Sequence, residues 1–472
     1  LLRGIYRSNY YQFFKDAFHV LEPEVELVDN WHIEYICNIL QEEVKRIERG
    51  EPKTSDIIIN IPPRSLKSML VTIIFNAWAW IRMPHLKFMA ASYSESLAVE
   101  HCMETRRLLL SDWYQELFGD LFKLEYDQNT KSNFKNSEKG IRHSFGIGSS
   151  ITGIGADVII CDDPIKVKDA NSELARKTAI DFWNQTMYSR LNDQKTGIRI
   201  IIMQRLHEND LTGYLLFNKA NYRHICIPAE LDDNISPPEF KDKYKDELFF
   251  PDRFTKPILD DIRKAIGTLG YVGQYQQKPS PTEGNLILRD WFRYFHPADL
   301  PEDIPRNFRT DTAYGKEQSD NSATICYSTY NNILYIWNVW KANLTFPEFI
   351  HSYKDFLFLN RHTPLSRTYF EPKASGVSVV QQLRLEKVQY QNTQIGINLI
   401  EGQSPKDAKE TRVAAAAPTI EGGRVFLLAN QPWIEEFIDE TAVFPNGKFD
   451  DQVDVLCSII NEELNAGFAF VV

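Results

Sequence analysis

The sequence predicts two α/β domains, the first with a mostly parallel sheet and the second with a mixed sheet. At 472 residues the chain exceeds the size at which one hydrophobic core keeps growing. Continuous β-branched runs alternate with helical patterns in the first 280 residues, which is typical of a parallel sheet. A stretch rich in Pro, Ser and Gly, KPSPTEGN at residues 278–285, precedes a different rhythm. We therefore expect a domain over residues 1–280, a linker over 281–290 and a second domain over 291–472.

Apolar periodicity predicts each element of the first domain in turn. Residues 1–50 are expected to be helical, because apolar side chains from position 31 onward recur on one helical face. Strands are expected where β-branched or apolar runs occur, at residues 56–61, 87–92, 157–161 and 198–203. Helices are expected at 69–83, at 94–110 with Ser94 as its cap, and around 170–188.

The second domain begins with a strand that ends near Asp311. TICYSTY, an Asn331-Asn332 turn and ILYIWNVW then predict an antiparallel hairpin. A short strand at 368–370 and a final helix at about 451–464 follow, with further helices between them. This order predicts a mixed sheet with helices on its faces.

Composition and charge exclude several classes of protein. No apolar run approaches the roughly 20 residues that a membrane-spanning helix needs. The six cysteines have no close pairs, so neither a zinc site nor a disulfide framework is expected, and a reducing, cytoplasmic setting fits best. The net charge of −11 would repel nucleic acid as a whole, so any contact with DNA requires local basic patches.

A phosphate-binding loop is the first candidate site. In PPRSLKS, a buried strand leads into a short loop, and Lys67-Ser68 then begins a helix. Free N–H groups at such a helix start can bind phosphates, a lysine can reach their oxygens, and a serine can hold Mg²⁺. Leu66 stands where the usual pattern has its second glycine, and an isolated Lys-Ser pair is more often an ordinary turn.

A pair of acids strengthens the case for a nucleotide site. DVIICDD delivers Asp162 and Asp163 at the carboxyl end of a second buried strand, where ligands bind in parallel sheets. One acid can hold Mg²⁺ through water while the other polarises the attacking water. Adjacent acids alone are more often a solvated turn, but together with the loop they favour phosphoryl chemistry.

A second set of carboxylates lies in the carboxyl half. Asp311 ends one strand, Glu371 follows another, and DDQVD places Asp450, Asp451 and Asp454 at the start of the last helix. Two-metal cleavage of phosphodiesters needs carboxylates from separate elements. The helical spacing puts Asp454 on a face shared with Asp450 and Asp451. Each acid alone is better explained as a turn or a cap, and Asp450 is a good helix cap.

The amino half resembles the large subunit of tailed-bacteriophage DNA-packaging terminases. PPRSLKS, ITGIGADVIICDDP and MQRLHENDLTG match, in order and spacing, the nucleotide-binding, acidic and coupling motifs of that family. The resemblance implies a P-loop ATPase domain of the ASCE type, with Asp162 as the metal-site acid and Asp163 in place of the usual catalytic glutamate. It further implies that the loop residues contact the phosphates, namely Pro63, Arg64, Ser65, Lys67 and Ser68. Trp31 and His32 would lie near the adenine. Gln204 and Arg205 would couple hydrolysis to movement. Without the resemblance, Trp31-His32 would be interpreted as helix packing and Gln204-Arg205 as a solvated turn.

The carboxyl half resembles the RNase H-like nuclease domain of the same family. EPKASG and DDQVD are close to its motifs. The resemblance implies that Asp311, Glu371, Asp451 and Asp454 are catalytic metal ligands, with Asp450 ranked behind them. Asp320 and Lys373 would support that site.

The resemblance implies an enzyme that packages viral DNA. ATP hydrolysis with Mg²⁺ would drive double-stranded DNA into a procapsid, and a nuclease with two Mg²⁺ or Mn²⁺ ions would cut the concatemer. The implied partners are a small terminase subunit, the portal protein and further copies of the chain in a ring on the portal, whose subunits can be monomeric in isolation. The expected location is the host cytoplasm, with no membrane.

Two alternatives remain open at this point. One is a P-loop helicase or remodelling ATPase whose second domain binds nucleic acid without cutting it. The other is a structural or adaptor protein with a degraded nucleotide site, which Leu66 and Asp163 keep open.

Overall fold

A computed structural model describes residues 1–125, 130–279, 286–312, 321–371, 374–402, 407–447 and 449–465, with the backbone alone at 374 and 375. The chain divides into two compact units, Leu1–Pro281 and Thr282–Val472. Within the ranges just given, no helix is long and apolar enough to cross a bilayer.

The first unit contains a seven-stranded sheet and nine α-helices among its described residues. The strands are β1 (Asp56–Asn60), β2 (Lys87–Ser92), β3 (Asn133–Lys135), β4 (Ile141–Gly146), β5 (Val158–Asp162), β6 (Ile198–Met203) and β7 (Tyr222–Cys226). The helices are α1 (Leu2–Ser8), α2 (Tyr10–Leu21), α3 (Trp31–Glu48), α4 (Ile74–Arg82), α5 (Glu95–Leu110), α6 (Asp112–Phe118), α7 (Glu173–Asp181), α8 (Leu211–Phe217) and α9 (Lys256–Gln274).

The sheet has the strand order β3-β4-β2-β5-β6-β1-β7. All neighbouring strands are parallel except β3, which runs antiparallel to β4. Strands β1, β5 and β6 are buried along their whole length, which explains their continuous β-branched sequences. Because these central strands are parallel, their carboxyl ends meet at one edge of the sheet, where the candidate nucleotide residues follow.

The helix predicted at residues 69–83 begins with an irregular turn. Residues Met69–Ile73 form a π-helical turn, and α4 continues from Ile74. The predicted helix cap at Ser94 is confirmed, because its side chain accepts a hydrogen bond from the backbone N–H of Leu97 at 3.3 Å. The π-helical turn at Met69–Ile73 is wider than a regular α-helical turn, and such turns often accompany functional sites.

The second unit contains a seven-stranded mixed sheet and a separate two-stranded ribbon in its described part. The strands are β8 (Arg293–Phe295), β9 (Asn307–Asp311), β10 (Ser322–Tyr330), β11 (Ile333–Ala342), β12 (Thr368–Phe370), β13 (Lys387–Tyr390), β14 (Thr393–Gly396), β15 (Leu399–Glu401) and β16 (Val425–Leu428). The helices are α10 (Phe346–Leu359), α11 (Ala374–Leu383), α12 (Lys409–Glu421), α13 (Ile434–Val443) and α14 (Asp451–Ile459).

This second sheet has the order β15-β12-β9-β10-β11-β16-β8. Strands β9, β10 and β11 are antiparallel neighbours, and the remaining neighbours are parallel. The predicted hairpin is confirmed, with Asn331 and Asn332 at φ of 51° and 61°. Asn tolerates these left-handed conformations, which a two-residue hairpin turn of this twist requires. The final helix α14 continues into a π-helical turn at Ile460–Leu464.

Candidate functional sites

The phosphate loop, residues 61–68, bends sharply between β1 and the π-helical turn. Arg64 and Leu66 have φ of 62° and 61°, in the left-handed region. The Ser65 hydroxyl donates to the carbonyl of Pro62 at 2.7 Å and closes the bend. Leu66 thus adopts the conformation that glycine takes without a steric cost, and for an L-residue this costs about 1–2 kcal/mol. The position of the missing glycine is therefore a point of backbone strain.

Lys67 and Asp163 form the central ion pair of this site. Lys67 Nζ lies 2.5 Å from Asp163 Oδ2, and the lysine is only 8% exposed. Burial raises the pKa of Asp163, with the nearby charge of Asp162 acting in the same direction and that of Lys67 opposing it. The lysine of the phosphate loop therefore neutralises the acid that follows β5.

Asp162, the last residue of β5, is 1% exposed. Its Oδ2 accepts a hydrogen bond from the Thr72 hydroxyl at 2.7 Å, whereas its Oδ1 has no hydrogen-bond partner among the described residues. Burial raises the pKa of this carboxyl, and the charge of Lys67 and hydrogen bonds from Thr72 and Ser68 oppose the shift. A buried carboxylate oxygen without a partner beside a serine hydroxyl fits Mg²⁺, which prefers oxygen ligands.

Gln204 and Arg205 begin the coupling loop, residues 204–210. The backbone N–H of Gln204 donates to Asp163 Oδ1 at 3.2 Å. Arg205 Nε donates to both carboxylate oxygens of Asp210, at 3.0 and 2.9 Å, and Asp210 caps α8. The first two residues are 7% and 9% exposed, so the solvated-turn interpretation is wrong.

Two further features constrain the coupling loop, a hydrogen bond at its start and a close approach to α8 at its end. The backbone N–H of Arg205 donates to Gln277 Oε1 at 2.9 Å. An added Cβ at Gly213, the glycine of MQRLHENDLTG, would lie 1.7 Å from the carbonyl oxygen of Glu208. The motif therefore needs its glycine because the loop folds back against the first turn of α8.

Trp31 and His32 have different surroundings although they are adjacent. His32 Nε2 lies 3.2 Å from the carbonyl oxygen of Ser65, and burial lowers its pKa to about 4, so the ring is neutral and can donate to the phosphate loop. The Trp31 indole instead packs against Phe240, with ring centroids 4.9 Å apart. Helix packing thus describes Trp31, and His32 supports the loop backbone.

A cavity of about 740 Å³ opens beside the phosphate loop. Its lining includes Arg64 and Met69 from the loop side, and Glu100, His101 and Arg107 from α5. This volume is in the range of small-molecule sites. The described residues that line it do not include Trp31 or His32. The predicted contact of that pair with adenine stays a prediction.

Asp311 ends β9, and Glu371 directly follows the neighbouring strand β12. Strands β9 and β12 are parallel, and Thr310 pairs with Phe370, so the two acids follow at the same edge. An added Cβ at Gly376, the glycine of EPKASG, would lie 2.1 Å from the Glu371 carbonyl oxygen and 3.5 Å from Thr312 Oγ1. The motif therefore needs glycine because the start of α11 packs closely against both strand ends.

The acids at the start of α14 face basic residues of α12. Lys409 Nζ lies 2.7 Å from Asp450 Oδ2 and 2.7 Å from Asp454 Oδ2. Arg412 Nη2 lies 2.7 Å from Asp454 Oδ1. Asp450 occupies the cap position, but its side chain makes no capping hydrogen bond, because the residue has φ of −147° and ψ of 13° and its carboxylate pairs with Lys409. The prediction of Asp450 as a helix cap is wrong in this respect.

Asp451 has a different set of neighbours. Burial, followed by the charges of Glu440 and Asp450, raises the pKa of Asp451 to about 6, and a hydrogen bond with Asn321 opposes the shift. Within the described ranges, no three His, Cys, Asp or Glu side chains lie close enough to hold a metal ion. Asp320 and Lys373 lie outside the described residues. Asp311 and Glu371 lie at one edge of the second sheet, whereas Asp454 pairs with two cations.

Several residues of these sites are not predicted from the sequence. Three of them contact the candidate acids directly, namely Thr72, Lys409 and Arg412. The fourth, Arg142, contacts Thr72, which in turn contacts Asp162. Thr72 follows Ser68 by one helical turn, which is the available signal. The partners on α12 are far from α14 in sequence, and no local pattern connects them.

Comparison with known proteins identifies part of the chain by sequence and most of it by fold. Residues 359–463 match the family model of the terminase RNaseH-like domain. No curated protein sequence matches the chain. The large terminase of a thermophilic bacteriophage, in one crystal form, has 13% identity and a TM-score of 0.50, covering 90% of this chain and 98% of that one.

Two further structures are similar at lower scores. The bacteriophage HK97 large terminase has 10% identity and a TM-score of 0.37, covering 92% of each chain. The large terminase nuclease of thermophilic phage G20c has 14% identity and a TM-score of 0.28, covering 38% of this chain and 98% of that one. Of these three structures, the first alone supports the predicted fold class over both units. Residues 359–463 are therefore similar in sequence to the terminase RNaseH-like domain, and the chain has a fold similar to that of a bacteriophage large terminase.

Proposed function

We propose that this protein is the large subunit of a viral DNA-packaging terminase, an ATPase that moves double-stranded DNA and a nuclease that cuts it. One observation carries the ATPase proposal. Lys67 from the phosphate loop and the Gln204 N–H from the coupling loop both contact Asp163, at the carboxyl edge of the first sheet. These contacts bring the predicted phosphate-binding lysine, the predicted water-positioning acid and the coupling loop together, which supports hydrolysis coupled to movement.

The ion pair suggests how the site responds to nucleotide. When ATP binds, its phosphates attract Lys67 more strongly than a single carboxylate does, so Lys67 leaves Asp163. The released Asp163 carboxylate can then orient the attacking water and accept a proton from it. Bound Mg²⁺, held by Ser68 and by Asp162 through water, would supply charge neutralisation at the phosphates. Asp163 thus acts as the base in place of the longer glutamate.

The coupling loop offers a path from the site to the rest of the first unit. Asp163 accepts from the Gln204 N–H, and the next residue, Arg205, is bound to Asp210 at the start of α8 and to Gln277 near the end of the unit. A change in the charge of Asp163 alters the first of these hydrogen bonds. We infer that this loop couples hydrolysis to movement.

The nuclease proposal rests on the second sheet. The family match at residues 359–463 includes Glu371, Asp450, Asp451 and Asp454, and Asp311 ends the strand beside Glu371. We infer that Asp311 and Glu371 hold at least one Mg²⁺ or Mn²⁺ and that an acid of α14 completes a two-ion site. The ions would polarise the scissile phosphate and activate water.

The partners follow from the same proposal. Double-stranded DNA is the substrate, and a small terminase subunit, a portal protein and further copies of the chain in a ring are the expected assembly at the procapsid in the host cytoplasm. Because the net charge is −11, DNA affinity must depend on local basic surface and fall with salt.

Incubation with plasmid DNA tests both activities. Purified full-length protein should cut plasmid in Mg²⁺ or Mn²⁺ and stop when a chelator is added, and it should bind ATP. Turnover of ATP without cutting would favour the helicase alternative. Binding without turnover or cutting, even with DNA present, would favour the adaptor alternative.

A further inference from the structure

Beneath the candidate nucleotide site lies a buried polar group that the proposed function does not yet use. Thr72 is fully buried in the π-helical turn and donates from its hydroxyl to Asp162 Oδ2 at 2.7 Å. Its carbonyl oxygen accepts from Arg142 Nη1 at 2.6 Å. One residue thus joins a buried cation to the buried acid.

Arg142 is unusual in its environment. It comes from β4, is 0% exposed, and its Nε and Nη2 have no hydrogen-bond partner among the described residues. A buried, incompletely bonded guanidinium opposes folding unless a nearby negative charge offsets it. Burial lowers the pKa of Arg142, and the Cys102 thiol and then the Asp162 carboxylate oppose this shift.

Two buried cations lie near the two acids of the site. Lys67 contacts Asp163, and Arg142 acts on Asp162 across Thr72. His101 Nδ1 lies 3.8 Å from the Asp162 carboxylate. Lys67 and Arg142 therefore both stabilise the negative charge of Asp162, and Arg142 still does so when Lys67 contacts the phosphates.

The π-helical turn explains why Thr72 can serve both neighbours. The wide turn leaves the carbonyls of Thr72 and Ile73 to accept from side chains, Arg142 for the first and the Thr105 hydroxyl, at 2.9 Å, for the second. The Thr72 hydroxyl is then aimed at Asp162. Among the described residues only Oδ2 of Asp162 has a hydrogen-bond partner, which leaves Oδ1 open.

We infer that Thr72, anchored by Arg142, is a positioning residue that fixes the Asp162 carboxylate with one oxygen open to the nucleotide-bound cation. The inference rests on the proposed ATPase function and adds a residue to its metal site. Thr72 does not touch substrate, and its effect passes through Asp162.

Matched hydroxyl deletions in the full-length protein test the inference. Thr72→Val removes the hydrogen bond to Asp162, Thr72→Ser keeps it, and Thr105→Val removes a buried hydroxyl that bonds the same segment without touching Asp162. Calorimetry measures ADP affinity with Mg²⁺ and without it. The ratio of the two affinities isolates the cation site from the rest of the nucleotide site.

We expect Thr72→Val to reduce the Mg²⁺-dependent gain in ADP affinity by about tenfold, as loss of a hydrogen bond to a charged group predicts. ADP affinity without Mg²⁺ should stay within about twofold of the parent, since the phosphate loop is unchanged. Thr72→Ser and Thr105→Val should retain the parental ratio. The kcat for ATP should fall in Thr72→Val, and the KM should rise because Mg²⁺ contributes less to nucleotide binding.

Other outcomes overturn the inference in distinguishable ways. If Thr72→Val and Thr105→Val have the same affinity ratio, Thr72 has only a structural role. If Thr72→Ser loses the ratio as fully as Thr72→Val, the hydroxyl is not responsible. If the parent itself binds no ADP in Mg²⁺, the proposed ATPase function fails, and the inference falls with it.

Discussion

Substitution of Lys409 by methionine tests the acidic cluster of α14 most directly. The change removes the cation that lies 2.7 Å from both Asp450 and Asp454 and keeps most of the side-chain volume. Asp454 is 5% exposed, so its negative charge cannot be fully hydrated when the lysine is gone. Lys409→Met should therefore destabilise the second unit in the absence of metal.

The size of the effect follows from the partner that remains. Removing one partner of a buried ion pair costs about 3–5 kcal/mol, but Arg412 still contacts Asp454 at 2.7 Å, so we expect roughly half of this, about 2 kcal/mol. For a domain of this size, that corresponds to a Tm lower by roughly 4–8 °C.

Thermal unfolding in chelator and in Mn²⁺ is the assay. If these acids take part in the metal site, Mn²⁺ should restore much of the lost stability, because an ion that binds the folded state stabilises it. Lys354→Met is the matched control: Lys354 pairs with Glu386 at 2.6 Å, away from the acids of α14. Its Tm change should be the same with and without Mn²⁺.

Two results would refute this reasoning. An unchanged Tm of Lys409→Met in chelator would mean that the ion pairs contribute no stability. A lower Tm that Mn²⁺ does not restore, equal in pattern to the control, would remove Asp450 and Asp454 from the metal site.

Six further substitutions test the remaining assignments. Lys67→Ala should abolish ATP turnover and leave plasmid cutting intact; parental turnover would contradict the phosphate-loop assignment. Asp163→Glu should retain or raise hydrolysis, whereas Asp163→Asn should lose at least about tenfold in kcat, and equal rates would exclude Asp163 as the base. Asp311→Asn and Glu371→Gln should each stop Mn²⁺-dependent cutting without lowering the Tm in chelator, and a folded variant that still cuts would argue against a nuclease site there. Asp451→Asn should stabilise the protein at pH 8 by about 1–2 kcal/mol, a value discounted for solvent screening. Because the pKa of Asp451 is raised to about 6 in the folded protein, the parent loses stability as the pH rises from about 4 to 6. In denaturant titrations the gain of the variant should therefore vanish near pH 4.

The sequence predicts the elements that local patterns determine. The β-branched runs of β1, β5 and β6 are buried on both faces, so these continuous apolar sequences correctly predict buried strands. Because parallel strands end at a common edge, the position of Asp162 and Asp163 beside the phosphate loop also follows from the sequence. The Asn331-Asn332 turn is predictable because few residues tolerate its backbone conformation.

The contacts that determine each acid's state cannot be predicted in this way. Asp450 has the sequence of a good cap, yet Lys409 from a distant helix binds its carboxylate and the cap hydrogen bond is absent. Thr72 lies in an apolar run that predicts a regular helix, and only the π-helical turn directs its hydroxyl to Asp162. Such long-range partners and local irregularities depend on tertiary packing, which no short sequence window contains.

The hydrogen bond between Arg205 and Gln277 has a practical consequence for dissecting the protein. Gln277 lies just before the Pro-rich segment, is 2% exposed, and holds the backbone of the coupling loop with its side chain. A fragment ending within α9 would delete this anchor while leaving every motif residue in place. A fragment designed to retain the proposed ATPase site should therefore extend at least through Gln277.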